Sequence, residues 1–257
     1  MPEITITDYI ILAFAGLLAG FVDSIAGGGG IITVPALMAV GIPPHFALGT
    51  NKLQASFGSF TASAHYIRKN LANLRDCIAG VLFTAIGAAL GTWTVQQISP
   101  AFLQAAIPLM LVAIFLYLIF SPDFGTLDKH PVMHTQAFYF TAGLALGFYD
   151  GFFGPGVGSF WTFVFVLLMG MNLRTATAHT KIMNFTSNII SLVVFIAGGH
   201  VLFTAGLIMA IGQLIGATAG SHLVITRGVK FVRIFFLTVV ALTIIKLIYD
   251  TYLAPAL

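Results

Sequence analysis

Residues Gly20 to Ser63 read GFVDSIAGGGGIITVPALMAVGIPPHFALGTNKLQASFGSFTAS, and this stretch decides the fold. It interrupts a strongly apolar chain with an acid, a run of four glycines and a lysine. A second, degenerate copy begins at Gly147: Gly20, Phe21, Asp23, Gly27 and Gly29 return as Gly147, Phe148, Asp150, Gly154 and Gly156, roughly 127 positions later. Ala47, Thr50 and Lys52 return as Ala176, His179 and Lys181 after a slip of about two more positions. The chain therefore reads as two halves, about 5–121 and 136–254, joined by a linker at 122–135 within a single unit spanning 1–257.

The surroundings of these stretches are membrane-like. Hydrophobic residues make up 58% of the chain and charged residues only 7%, where a soluble domain carries roughly a quarter charged. Mean hydropathy is +1.00. The net charge of +3 fits Lys and Arg in cytoplasmic loops better than binding to nucleic acid. With Cys77 alone and no HExxH spacing among the histidines, no disulfide, metal site or redox cofactor is expected. The N-terminal MPEITITDYIILAFAG lacks the basic region of a signal peptide and reads as the start of a transmembrane segment.

The pattern predicts an all-α polytopic membrane protein of about eight transmembrane helices plus broken or re-entrant segments. Tyr9 to Phe21 reads as a helix stopped by Asp23, at roughly 20 Å too short to cross alone. Ile31 to Val40 is a second short piece, with Thr33 a candidate N-cap. Phe46–Ile67, Cys77–Val95 and Ala101–Phe120 follow as longer segments, and the order begins again at Phe138, ending with Phe231–Tyr252. GxxxG pairs at Gly87/Gly91 and Gly216/Gly220 suit close helix crossings. Arg68, Lys69 and Arg75 follow the long helix of the first half. In the second half the basic cluster, Arg227, Lys230 and Arg233, comes one loop later. Alternating basic loops predict two inverted-topology repeats with both termini outside.

Glycine runs leading into short helices expose first-turn N–H groups and the positive end of a helix dipole, which favour an anion. Paired breaks in corresponding places point to a transporter's central site. Candidate substrate contacts are Gly27, Gly28, Gly29, Gly30, Thr50, Asn51 and Lys52 in the first half, with Gly154, Gly156, His179, Thr180 and Lys181 in the second. Each lysine lies early in an apolar helix and costs roughly 2.5–3.5 kcal/mol to insert. It either contacts a bound anion, snorkels to the interface, or pairs with Asp23 or Asp150. The two acids carry a coupling proton, pair with the lysines, or cap the glycine turn. His45 and His179 either titrate near neutral pH or are satisfied structural residues.

These residues, FVDSIAGGGGIITVPALMAVGIPP followed by ALGTNKLQASFGSFTAS, closely resemble the signature of the TauE/SafE sulfite exporter family, in particular its YfcA-like branch. GFYDGFFGPGVGSF with AHTKIMNFTSN resembles the family's second half, so the likeness covers nearly the whole chain. The resemblance implies an inner-membrane permease for small sulfur-containing anions such as sulfite, sulfoacetate or other organosulfonates, driven by the proton gradient, for which Asp23 and Asp150 are the candidate proton carriers on the residue reading above. It implies no enzymatic activity. The expected partners are a small anion, protons and the bilayer. Pro155 and Val157 in place of Gly28 and Gly30, and His179 in place of Thr50, make the half-sites unequal. A passive anion channel using the same lysines is the alternative. A remote one is an intramembrane aspartyl protease, suggested by the paired aspartates; no GxGD motif accompanies Asp23, and transport explains the symmetry better.

Overall fold

The computed structural model describes residues 4–26, 28–120 and 130–227, together with Ala241, Ile244, Ile245, Ile248 and Tyr249. The described residues form α1 (Ile6–Ala26), α2 (Gly30–Ala39) and α3 (Pro44–Arg68), then a 3-10 turn (Leu74–Cys77) running into α4 (Ile78–Gln96) and α5 (Pro100–Phe120). α6 (Thr135–Phe152), α7 (Val157–Met169), α8 (Leu173–Ala197) and α9 (Phe203–Arg227) complete the set. The expected last helix, Phe231–Tyr252, and most of the central linker lie outside the described residues.

Among the described residues, four segments are long and apolar enough to cross a membrane: Ile6–Asp23, Leu74–Gln96, Pro100–Tyr117 and Leu173–Ala197. The first corrects the sequence reading. α1 does not stop before Asp23 but carries it in its last turns, so its 21 residues extend about 31 Å. α6 likewise runs past Asp150 to Phe152. α3 has 25 residues, but its inward face is too polar to count among the four. Thr33 is not an N-cap either. α2 starts at Gly30, and the Thr33 hydroxyl donates to Asn51 Oδ1 on α3 at 2.6 Å.

The distribution of side chains is that of a protein dissolved in hydrocarbon. Lys52, Asp150, Asn51, Gln54 and Gln213 are buried, whereas Phe14, Leu82, Ile86, Leu90, Trp93, Leu109, Phe140 and Ile211 are exposed. Polar side chains need protein partners here, and apolar ones face lipid without cost. Two apolar cores flank the polar centre. One gathers Leu12, Ile31, Leu37, Ile107 and Phe195; the other gathers Phe138, Trp161, Phe165 and Met183.

α1 packs along α9, α4 along α6, and α3 against α8. The first two crossings use the same chemistry at matching places. A Cβ on Gly216 would fall 1.8 Å from the Leu17 carbonyl oxygen and against Phe21; one on Gly87 would fall 2.4 Å from the Leu144 carbonyl oxygen and against Phe148. Gly20 lies on the Gln213 backbone, and Gly147 on that of Thr84. Bare helix backbones thus touch without intervening side chains. That closeness replaces the hydrophobic drive that lipid cannot supply. The side of Gly220, the second glycine of its GxxxG, is outside the described residues.

Candidate functional site

The turn that follows α6 is closed by Phe153 and Gly154 N–H groups on the Tyr149 carbonyl, while the Tyr149 hydroxyl donates to Pro155 O at 2.6 Å. Gly154 then adopts φ 97°, a left-handed conformation that favours glycine. A Cβ there would also lie 2.9 Å from both Asp150 Oδ1 and Lys52 Nζ. The glycine therefore makes room for an ion pair. Lys52 Nζ on α3 meets Asp150 Oδ1 at 2.5 Å and donates to the Asp150 carbonyl and, at 3.3 Å, to Asn188 Oδ1. The Ser187 hydroxyl donates to the other carboxylate oxygen.

The first half repeats this arrangement with the partners exchanged. Lys181 Nζ on α8 reaches Asp23 Oδ2 at 3.2 Å and the Asp23 carbonyl at 3.1 Å. Gly28 N–H donates to Asp23 Oδ1 at 3.1 Å. Each lysine thus neutralises the acid of the opposite half, and the pairing alternative of the sequence reading is the geometry found.

Between the pairs lies a small cavity of about 40 Å³ that opens into a wider space at its mouth. Its lining includes Asp23, Asp150, the first turns of α2 and α7, and polar side chains of α3, α8 and α9. Of the expected contacts, Gly28, Gly29, Gly30, Asn51, Gly154 and Gly156 line it, as do both acids. Gly27 lies outside the described residues. Gly30 and Pro155 face each other closely, so the two chain breaks meet.

The other expected contacts do not line the cavity. Thr50 is fully buried and its hydroxyl accepts from Leu202 N–H at 3.0 Å, tying α3 to the start of α9. His179 Nδ1 bonds the Thr175 carbonyl at 2.9 Å, and its ring packs on Phe165. Thr180 shares a 3.1 Å hydrogen bond with Thr162. Lys52 and Lys181 sit behind the acids they pair with. His45 is bonded to the Val95 carbonyl at 3.0 Å.

The lining also contains residues that the sequence reading did not single out: Gln54, Ser59, Asn184, Asn188 and Gln213. A signal was present. Asn51, Gln54 and Ser59 recur at helical spacing along α3, and Asn184 and Asn188 along α8, giving each apolar helix one polar stripe. Among the described residues, no group of three or more His, Cys, Asp or Glu side chains is arranged to hold a metal ion. Asp23 and Asp150 are held by separate lysines and do not form the mutually hydrogen-bonded dyad that an aspartyl protease requires.

Residues 12–247 match the family model described as Sulfite exporter TauE/SafE. The chain is 44% identical over 242 residues to the protein named probable membrane transporter protein YfcA of Escherichia coli K12, covering 94% of this chain and 90% of that protein. A probable membrane transporter protein of Haemophilus influenzae is 42% identical over 248 residues, 96% of this chain and 97% of its own length. The more distant YunE of Bacillus subtilis is 24% identical over 268 residues, with 95% and 98% covered. No solved structure matches. The chain belongs to the TauE/SafE family, a family of multi-pass membrane transporters and not of enzymes.

Proposed function

We propose that this TauE/SafE member is a secondary transporter for a small anion, sulfite, sulfoacetate or another organosulfur anion, working by alternating access around the cavity between the two ion pairs. The observation that carries the reading is the crossed pairing: Lys52 with Asp150 and Lys181 with Asp23, each salt bridge joining one half to the other beside a glycine break. Inverted halves, about eight spans and both termini outside the inner membrane belong to the same reading. Any rocking of one half against the other must strain both bridges at once. The bridges therefore report, and resist, the change of access.

The chemistry follows from charge balance. With both acids ionised, the lysines are neutralised and the cavity holds no free positive charge. Protonation of Asp23 would release the Lys181 ammonium, and the first-turn N–H groups of α2 and α7 would add their dipoles to an anion field. A proton and an anion thus enter together. Loss of the proton restores the bridge and expels the anion, which couples anion flux to the proton gradient. A channel needs none of these steps.

Counterflow in proteoliposomes separates the two. Vesicles loaded with unlabelled sulfite and diluted into a trace of labelled sulfite should accumulate label transiently above its equilibrium level. Simple equilibration without overshoot would instead favour the passive anion channel. Unaltered transport in both Lys52→Ala and Lys181→Ala would remove the site assignment.

A further inference from the structure

The two chain breaks differ in one side chain that borders the cavity between them. Asn51 on α3 lines that cavity and is only 3% exposed. Its neighbours set the orientation of its amide. The Thr33 hydroxyl on α2 lies 2.6 Å from Asn51 Oδ1, against 3.3 Å from the Gly29 carbonyl. That shorter length is normal for O–H···O and tighter than N–H···O bonds run, so the oxygen of the amide faces Thr33. Gln54 Nε2 donates to the same oxygen at 2.9 Å. The Asn51 Nδ2 group is thereby turned toward the first turn of α2, 3.6 Å from where a Cβ on Gly30 would sit. It donates to no group among the described residues, and unlike Gln54 Oε1 it keeps surface open to the cavity. The N–H groups of Gly29 and Gly30 in that turn likewise close no hydrogen bond among the described residues. A native interior leaves few donors unpaired, so three at one break suit an acceptor from outside the chain.

The second half closes the equivalent position. By the register of the lysines the counterpart of Asn51 is Thr180, whose hydroxyl bonds Thr162 of α7 at 3.1 Å and which does not line the cavity. Pro155, in the place of Gly28, has no N–H to offer. The break with the unpaired amide is also the one beside the more open ion pair, since Gly28 N–H donates to Asp23 Oδ1. We infer that the anionic group is held at the first-half break alone, on Asn51 Nδ2 and the N–H groups of Gly29 and Gly30, with Thr33 and Gln54 as positioning residues that keep the amide donor turned toward it. The inference rests on the transport reading above and deepens it. It names a head group with several acceptor oxygens, a sulfite or a sulfonate, as what this break recognises, and it places that group beside Asp23, the acid whose protonation frees Lys181.

The test is calorimetric titration of the purified full chain in detergent with sodium sulfite and, separately, sodium methanesulfonate. The wild type should bind one anion per chain. Asn51→Asp keeps the oxygen that Thr33 and Gln54 hold but removes the amide donor, and it should weaken binding of both anions by about tenfold or more. Should Asn51→Asp fail to fold, Asn51→Thr, which copies the second half, should show the loss in its place. Thr33→Val should weaken binding by about threefold, and Thr33→Ser should restore it. A positioning role also requires that Thr33→Val cost nothing further once the amide donor of Asn51 is gone. Thr162→Val, which cuts the equivalent tie in the second half, should change the affinity by less than about twofold. Undiminished binding by the Asn51 variants, an equal loss from Thr162→Val, or two anions per chain would overturn the inference while leaving anion transport standing. Binding of neither anion by the wild type would overturn the transport reading, and the inference with it.

Discussion

The two ion pairs are built from equivalent residues, an acid near the end of the first helix of one half and a lysine nine residues into the long helix of the other, yet they differ. Lys52 and Asp150 are 1% and 2% exposed and 2.5 Å apart, whereas Lys181 and Asp23 are 4% and 20% exposed and 3.2 Å apart. The cause is a neighbour. Ser187 supplies a hydroxyl to Asp150, and by the register of the lysines its counterpart on α3 is Gly58, which has none. The space beside Gly58 is filled by Gln213 Nε2, only 2.1 Å from where a Cβ would sit. One pair is thereby sealed, and the other stays partly open to water. Duplication supplied the two pairs; a single missing side chain sets them apart.

The largest expected effect is at the sealed pair. Lys52→Ala leaves Asp150 buried without its counter-ion and should cost about 3–5 kcal/mol of stability, read as thermal unfolding in detergent. A loss no larger than that of Lys181→Ala would abolish the distinction drawn here. Where the halves are alike, their variants should be alike. Gly87→Val and Gly216→Val both drive a side chain into a facing backbone, and each should cost about 2–3 kcal/mol, with losses within about 1 kcal/mol of each other. Lys181→Ala should cost only about 1 kcal/mol, because Asp23 is partly open to water and keeps the Gly28 N–H. Its main effect should be weaker anion binding.

The cause assigned to the asymmetry can be tested by repairing it. Gly58→Ser combined with Gln213→Thr, which opens the needed space, should give Asp23 the hydroxyl donor that Asp150 has. Thermal unfolding in detergent should then show a gain of about 1 kcal/mol over Gln213→Thr alone. The smallest effect concerns His200, a loop histidine whose place in the other half is taken by Leu71. Burial, and then the neighbouring His45, hold His200 below the ordinary imidazole value. The unfolded chain therefore takes up this proton first. The stability that His200 contributes is complete above about pH 6.5 and falls away as pH drops through its folded-state value. His200→Gln should flatten that part of the Tm–pH curve.

Much of this was legible in the sequence, because membrane proteins must place glycine, charge and apolar surface explicitly. The glycine breaks, the long helices, the acids near the cavity and the family all stood in the residue order. What was not legible depends on partners far away in the chain. Asp23 looked like a helix terminator because a lone acid does not belong in hydrocarbon. It stays inside α1 because Lys181, far along the chain, neutralises it. Thr50 and His179 looked like ligands from their place beside the lysines, but helical spacing turns them away from the cavity and toward backbone groups. Gln54, Asn184 and Gln213 went unremarked because amides carry no charge to draw attention in an apolar helix. Only the shared cavity gives them meaning.

The central claim, that the open pair couples anion movement to protons, is tested most directly in proteoliposomes carrying the Asp23→Asn protein, with labelled sulfite supplied under an imposed pH gradient and, separately, without one. The account predicts that exchange of sulfite across the membrane persists without a gradient, while accumulation driven by the gradient is lost. Gradient-driven accumulation at the wild-type level would contradict it.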